Sequence, residues 1–152
     1  MAPRRPTEVL LLDVQLNTPL TLDPKGRITL PSRIKGQLEH VGTNVLVVLP
    51  QKDHLRLYTR ADFRTQVEAP LLTLDSFDPA VARKQRLRVG LAVEVQVDAQ
   101  GRVNLPPNLR AMAGLQRDVV LMSFLGRLEL WDQARFDAYV AAALADEEAG
   151  GA

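Results

Sequence analysis

Two short segments of this chain carry an aspartate and an arginine at the same spacing. DPKGRITLP begins at Asp23 and DAQGRVNLP begins at Asp98, 75 positions further along. The aspartate can accept backbone N–H groups across the turn, and glycine supplies the positive φ that such a turn requires. The arginine that follows presents a planar fork of donors, which fits phosphate oxygens or the O6 and N7 edge of guanine. The repeat therefore predicts two turns built to bind an anion or a base edge.

A second chemistry for the repeated aspartates is acid and base catalysis. Asp23 and Asp98 would form a two-carboxylate pair of the kind that transfers protons. Against this, Arg27 and Arg102 each follow an aspartate closely and favour its ionised, occupied form. We therefore expect that the protein is not an enzyme. A tight turn in which each arginine only pairs with its own aspartate remains an alternative to binding.

Motifs for other catalytic or cofactor chemistry are missing from the sequence. There is no cysteine, which excludes disulfides, thiol nucleophiles and cysteine-based zinc sites. The two histidines, His40 and His54, lie in different segments without a metal-ligand spacing, and each is expected to be a surface or loop residue. Gly26 and Gly101 are single glycines, too few to cradle a pyrophosphate. The sequence predicts no metal, no cofactor and no small-molecule substrate.

Secondary-structure signals around each turn predict the same unit twice. Apolar residues alternate from 91 to 98, as in a half-buried strand. Pro31 and Pro106 follow short return strands and suit the first turn of a helix. Two further strands follow in each copy, and Thr59 and Asp132 are good N-caps for a closing helix. The other predicted strands are at 18–22, 28–30, 44–49, 55–58, 103–105, 118–124 and 127–131.

The domain organisation follows from the repeat. We predict an N-terminal extension at 1–17, a first repeat at 18–67, a linker with a short helix at 68–89, a second repeat at 90–140 and a C-terminal tail at 141–152. A unit of roughly fifty residues buries too little apolar surface to be stable alone, so the two repeats are expected to share one core. The predicted fold class is α+β, mostly β, built from tandem hairpin and helix units.

Charge and hydropathy limit the kind of protein further. Of the 152 residues, 1–90 hold fourteen lysines and arginines against nine acids, whereas 91–152 hold five against nine. This asymmetry permits an anionic partner on one face, and a mixed solvated surface is the alternative. Apolar runs such as 9–12 and 45–49 are too short to span a bilayer, and no signal-peptide pattern is present. We expect a soluble cytoplasmic protein without a membrane partner.

Double-stranded DNA is the anionic partner that the repeated turns predict. A two-stranded ribbon can enter the major groove, where an arginine at its tip reaches guanine. The candidate DNA-binding residues are Lys25, Arg27, Arg33 and Lys35 around the first turn and Arg102 and Arg110 around the second, with Asp23, Gly26, Asp98 and Gly101 bracing the turns. Because the first turn has more basic neighbours, we expect it to supply more of the phosphate affinity.

The doubled motif also resembles a known family. The paired Asp-x-x-Gly-Arg-x-x-x-Pro turns, the approach Gly90-Leu91-Ala92-Val93-Glu94 and the ending Leu-x-Leu-Trp-x-x-x-x-Phe are similar to the MraZ family, a branch of the AbrB-like (SpoVT-AbrB) swapped-hairpin proteins. The similarity covers about residues 18–140. It implies a pseudo-two-fold swapped-hairpin barrel with flanking helices. It also implies a sequence-specific transcriptional regulator of division and cell-wall genes, a nucleoid-associated, ring-shaped homo-oligomer that reads short DNA repeats.

Carried over position by position, the family motif falls on Asp23 with Arg27 and on Asp98 with Arg102, and both copies are intact. Two other functions remain open. A ring that binds proteins, with a decayed role on DNA, is compatible with the net charge of +1. An AbrB-like antitoxin that binds a toxin through its C-terminal helix is the other alternative.

Overall fold

The structure, a computed structural model, describes residues 12–150 as a mixed α+β fold that is mostly sheet. The strands are β1 (Leu16–Thr21), β2 (Arg27–Thr29), β3 (Val45–Pro50), β4 (Leu55–Thr59), β5 (Val93–Gln96), β6 (Arg102–Asn104), β7 (Asp118–Phe124) and β8 (Arg127–Asp132). The helices are α1 (Ser32–Val41), α2 (Arg60–Phe63), α3 (Ala69–Leu72), α4 (Pro79–Gln85), α5 (Pro107–Ala113) and α6 (Gln133–Ala149). A π-helical turn at Arg64–Glu68 joins α2 to α3, and another at Arg86–Gly90 follows α4. This confirms the predicted α+β class.

The strands of the two repeats are interleaved. One antiparallel sheet has the order β1-β7-β8-β4-β3-β5, and β2 pairs with β6 in a separate two-stranded ribbon. Each repeat gives its first strand to the other, because β1 pairs with β7 and β5 pairs with β3. Exchanging corresponding strands reproduces the same order, which is a pseudo-two-fold relation. In this strand order β1 and β5 are edges, and closure into a barrel stays a prediction.

One core lies between the sheet and the ribbon, and both repeats build it. Ile28 and Val103 from the ribbon are almost completely buried, together with Ile34 of α1 and Leu109 of α5. These are corresponding positions of the two copies. Alternating strand residues and the apolar sides of two short helices thus converge on a single cluster. The shared core predicted from the size of the repeat is confirmed.

The opposite face of the large sheet carries a second, smaller cluster. It contains Tyr58 of β4 and Phe63 of α2, whose rings meet edge to face. The predicted N-caps are confirmed: the Thr59 hydroxyl accepts the Asp62 N–H, and the Asp132 carboxylate accepts the Arg135 N–H. These caps fix where each closing helix leaves its strand.

The remaining segments agree in part with the predictions made from the sequence. The short helix predicted within the linker is present as α4 and the π-helical turn after it. Helix α6 continues without a break through position 141, where the tail was predicted to begin, as far as Ala149. Residues 1–11 of the predicted extension and 151–152 of the predicted tail lie outside the described residues.

Candidate nucleic-acid interface

The first repeated turn is held by a network around Asp23. Its Oδ1 accepts the backbone N–H groups of Lys25 at 2.9 Å and Arg27 at 2.8 Å. Its Oδ2 accepts the Nε–H of Arg27 at 2.9 Å. Gly26 has a φ of +85°, a conformation that side chains with a Cβ rarely adopt. The turn therefore fixes both the backbone and the direction of the arginine.

The second turn repeats this geometry around Asp98. Oδ1 accepts the N–H groups of Gln100 at 3.0 Å and Arg102 at 2.8 Å, and Oδ2 accepts the Arg102 Nε–H at 2.8 Å. Gly101 has a φ of +80°. One difference is that Gln100, which replaces a lysine, accepts a long hydrogen bond from Arg102 Nη2 at 3.4 Å. The two turns are thus alike in their backbone and differ in the charge of one neighbour.

The two carboxylates are stabilised in their ionised form. The pKa of Asp23 and that of Asp98 are lowered, first by the backbone N–H of Arg27 or Arg102 and then by the guanidinium of the same residue, while desolvation acts in the opposite direction. Each carboxylate is therefore occupied within its own turn. Because Nε binds the carboxylate, the Nη atoms of each arginine form the part of the fork that can reach a ligand.

The ribbon places both arginines on one face. In the β2–β6 register, Arg27 lies opposite Asn104 and Thr29 lies opposite Arg102, while Ile28 and Val103 point into the core. Because side chains alternate along a strand, Arg27, Thr29, Arg102 and Asn104 share the outer face, which we name the polar ribbon face. Arg27 and Arg102 are diagonal neighbours, for which ~7–8 Å between Cα atoms is typical.

Thr29 and Asn104 are candidate functional residues that the sequence analysis did not identify. Both are exposed, and within residues 12–150 neither side chain forms a hydrogen bond. The sequence already contained the pattern that identifies them. Thr29 and Asn104 each lie two positions after an arginine in a strand, so each side chain shares a face with that arginine. The register adds that the two halves of the face differ: Arg27 stands beside Asn104, and Arg102 beside Thr29.

The basic residues of the short helices cross between the repeats. A Cβ on Gly26 would lie 2.6 Å from Cζ of Arg110, and one on Gly101 would lie 3.1 Å from Cδ of Lys35. Arg110 is held there by its Nε–H, which donates to the Leu105 carbonyl at 3.0 Å. The assignment of Lys35 to the first turn and Arg110 to the second is therefore wrong. The exchange arises because β2 pairs with β6 in the ribbon. This pairing places the start of each short helix beside the turn of the other repeat.

This exchange changes the expected distribution of charge. The first turn has Lys25, Arg27 and the crossing Arg110, whereas the second has Arg102 and the crossing Lys35. Arg33 contributes to neither turn, since its Nη1–H donates to the Gln15 carbonyl beside β1 at 3.2 Å. The first turn is still the more basic of the two, because three of these five basic residues lie beside it and two lie beside the second turn.

Other chemistry-bearing groups in residues 12–150 do not form a second site of this kind. No group of three or more His, Cys, Asp or Glu in this range could hold a metal ion. His54 is a loop residue, as expected, but its side chain is buried and stacks on Trp131 with ring centroids 4.4 Å apart. Within residues 12–150, the helices lack the length and apolar character that a membrane span requires.

Comparison with known proteins relates this chain to one family. Residues 89–150 match the family model described as "MraZ protein, putative antitoxin-like". A protein of Chromobacterium violaceum named "Transcriptional regulator MraZ" is 40% identical over 131 residues, which cover 86% of this chain and 88% of that protein. One from Halorhodospira halophila with the same name is 37% identical over 138 residues, covering 87% and 91%.

Among solved structures, one similarity is much weaker. The solution structure of PHS018 from Pyrococcus horikoshii is 15% identical and has a TM-score of 0.29, with coverage of 78% of this chain and 89% of that chain.

Proposed function

Because this chain belongs to the MraZ family, with a relative 40% identical over 86% of its length, we propose that it is a sequence-specific, DNA-binding transcriptional regulator whose polar ribbon face enters the major groove. The observation that carries this proposal is the placement of two carboxylate-braced arginines on one exposed face of a two-stranded ribbon. A ribbon of this kind fits the width of the major groove.

The residues divide into base contacts and phosphate contacts. Arg27 and Arg102 are proposed to donate to guanine O6 and N7 through their Nη atoms, since each Nε is taken by an aspartate. Asp23, Asp98, Gly26 and Gly101 hold this geometry without touching DNA. The other basic candidates at the turns are proposed to contact phosphates, which position the ribbon without reading sequence: Lys25, Lys35 and Arg110.

The two halves of the polar ribbon face are proposed to read different bases. Asn can pair with adenine through N6 and N7, whereas Thr offers a hydroxyl and a methyl group that contacts thymine. Asn104 beside Arg27 and Thr29 beside Arg102 therefore present unequal chemical patterns on a pseudo-symmetric head. An asymmetric base sequence fits such a head better than a palindrome.

The wider biological role follows the family. We propose that the chain regulates division and cell-wall genes, works in the cytoplasm at the nucleoid, and assembles into a ring-shaped homo-oligomer that reads short repeats in DNA. Several heads on one ring raise the affinity of individually weak contacts through effective concentration. No enzymatic activity, cofactor or small-molecule substrate forms part of this proposal.

The proposal is tested by titrating the purified protein against the DNA upstream of its own gene and against a scrambled DNA, each at two salt concentrations. Binding that weakens with salt on both DNAs reports phosphate contacts, and a difference between the DNAs reports sequence reading. Arg27→Ala and Arg102→Ala each remove an arginine from a base edge and should weaken specific binding by ~1–3 kcal/mol.

Arg64→Ala is the matched control, because Arg64 is exposed in the π-helical turn beside the opposite face of the large sheet. It should bind as the wild type does. Unchanged affinity in both ribbon variants would refute the proposal. Absence of binding to either DNA at low salt would instead support the protein-binding ring.

A further inference from the structure

The apolar side of α6 is partly exposed where its counterpart in the first repeat is buried. Three apolar residues recur 73 positions apart, since Phe63, Val67 and Leu71 correspond to Phe136, Val140 and Leu144. Leu71 is 5% exposed and Leu144 is 58% exposed, and no residue of α6 is buried. We name Phe136, Tyr139, Val140 and Leu144 the α6 stripe. Phe136 and Val140 are half-buried, and the rings of Phe136 and Tyr139 lie against Trp131, whereas Tyr139 and Leu144 remain 52% and 58% exposed. Exposed apolar groups on one side of a helix mark a candidate interaction surface.

The first repeat shows what covers such a stripe. Val89 at the end of the linker and Ala92 at the start of the second repeat pack against the cluster that contains Leu71. The side-chain amide of Gln85 donates to the Leu71 carbonyl at 3.3 Å. Within residues 12–150, the buried apolar clusters include no residue of α6. The segment from Gln85 to Ala92 thus covers Leu71 of the first repeat, whereas Leu144, the corresponding residue of α6, is left exposed.

The outer side of the linker has a complementary form. Leu87 is 49% exposed, and the charged residues Arg83, Lys84 and Arg88 around it are exposed as well. Together with Ala80 they line a groove of about 290 Å³. None of these three cations forms an ion pair within the described part of the chain. We name Arg83, Lys84, Leu87 and Arg88 the basic linker face.

The charges of the two surfaces are opposite and equivalently placed. Arg83 and Lys84 precede Leu87 by four and three residues, so they lie one helical turn away from it. Glu147 and Glu148 follow Leu144 by three and four residues, again one turn away. Each surface therefore offers a leucine next to two like charges, positive on the linker and negative on α6. A contact between them joins the apolar groups and pairs the charges.

We infer that the basic linker face of one copy docks on the α6 stripe of a second copy. The two faces belong to different parts of the chain, so the contact is head to tail and can repeat from copy to copy until a ring closes. This inference rests on the homo-oligomer of the proposed function and names its contact. It involves no residue of the polar ribbon face, and its failure is therefore separable from a failure of DNA binding.

The contact is tested by reversing the charges of each surface. The mass of the full-length protein is then measured by light scattering during gel filtration. Arg83→Glu with Lys84→Glu, and separately Glu147→Lys with Glu148→Lys, should raise the dissociation constant of the assembly about tenfold or more, because attraction becomes repulsion. An equimolar mixture of the two variants should assemble again, since each reversed face then meets a complementary one. Restoration in the mixture also shows that both variants are folded.

Two controls separate this contact from charge and DNA effects. Lys52→Glu with Arg64→Glu changes the net charge at exposed sites elsewhere by the same amount as Arg83→Glu with Lys84→Glu, and it should assemble as the wild type does. Arg27→Ala with Arg102→Ala should also assemble normally, whatever its affinity for DNA. A monomeric wild type, reversed variants with wild-type mass, or a mixture that stays dissociated would each overturn the inference.

Discussion

Arg110 of the second repeat lies across Gly26 of the first. A Cβ on Gly26 would stand 2.6 Å from the guanidinium carbon of Arg110, and the Gly26 carbonyl accepts the Leu105 N–H at 2.9 Å. The tip of one repeat is therefore completed by a side chain and a backbone group of the other. Changes in either repeat should alter both turns.

Alanine substitutions of the turn glycines should destabilise the fold. Gly26→Ala and Gly101→Ala force a Cβ into a positive φ, which costs ~1–3 kcal/mol, and Gly26→Ala must also displace Arg110. The free energy of unfolding, followed by urea denaturation, should fall in both. Gly36→Ala is a control that should change stability in the opposite direction. Gly36 lies in α1 with open space around it, so alanine should raise the free energy of unfolding by ~0.5–1 kcal/mol. Equal changes at Gly26 and Gly36 would contradict this.

Asn104→Ala should relax base selectivity without affecting the fold. Asn104 is exposed and has no hydrogen bond within residues 12–150, so the unfolding free energy should stay within ~0.5 kcal/mol. Removing one side chain from a base edge should cost ~1–3 kcal/mol of discrimination at a single base pair. Selection from a random DNA pool would show it as a weaker preference at one position. Asn17→Ala, an exposed asparagine of β1, should leave the preference unchanged.

Acid should remove the stabilisation supplied by the two turn aspartates. The pKa of Asp23 and of Asp98 lies below the usual value of 3.8 in the folded protein, first because of backbone N–H donation. Each carboxylate therefore contributes stability above the unfolded pKa, and this contribution is lost as the pH falls through the folded pKa. Asp23→Asn with Asp98→Asn should be less stable than the wild type at pH 7. That gap should close below about pH 4 in urea titrations; parallel pH curves would refute it.

Glu129 of β8 should be needed for the stability of the fold, although it is not part of the ribbon. It is 5% exposed, and it accepts hydrogen bonds from Arg127 at 2.9 Å and from the Trp131 indole at 3.0 Å. Glu129→Ala leaves both donors without this acceptor and should cost ~1–3 kcal/mol. Glu129→Gln keeps an acceptor and should cost less. Trp131 is the one tryptophan, so its fluorescence reports unfolding directly. Glu94→Ala, an exposed glutamate, should change stability by less than about 1 kcal/mol.

Local chemistry made several features of the site predictable from sequence. Asp23 accepts hydrogen bonds from Lys25 and Arg27, which lie two and four positions further along, so these bonds depend on the turn alone. The caps at Thr59 and Asp132 are local for the same reason. The burial of His54 was not predictable, because its neighbour Trp131 is far away in the sequence and meets it through the β4–β8 pairing.

The sequence by itself determined the repeated turn, its braced arginine, the order of strands and helices, and the membership of the MraZ family that the relatives support. The tertiary structure alone decided which residues stand together across the repeats: Arg27 beside Asn104, Arg110 against Gly26, and Lys35 against Gly101. Register between strands about 75 residues apart depends on how both copies fill one core, and no local pattern specifies it. The exchange of strands therefore sets the composition of the polar ribbon face.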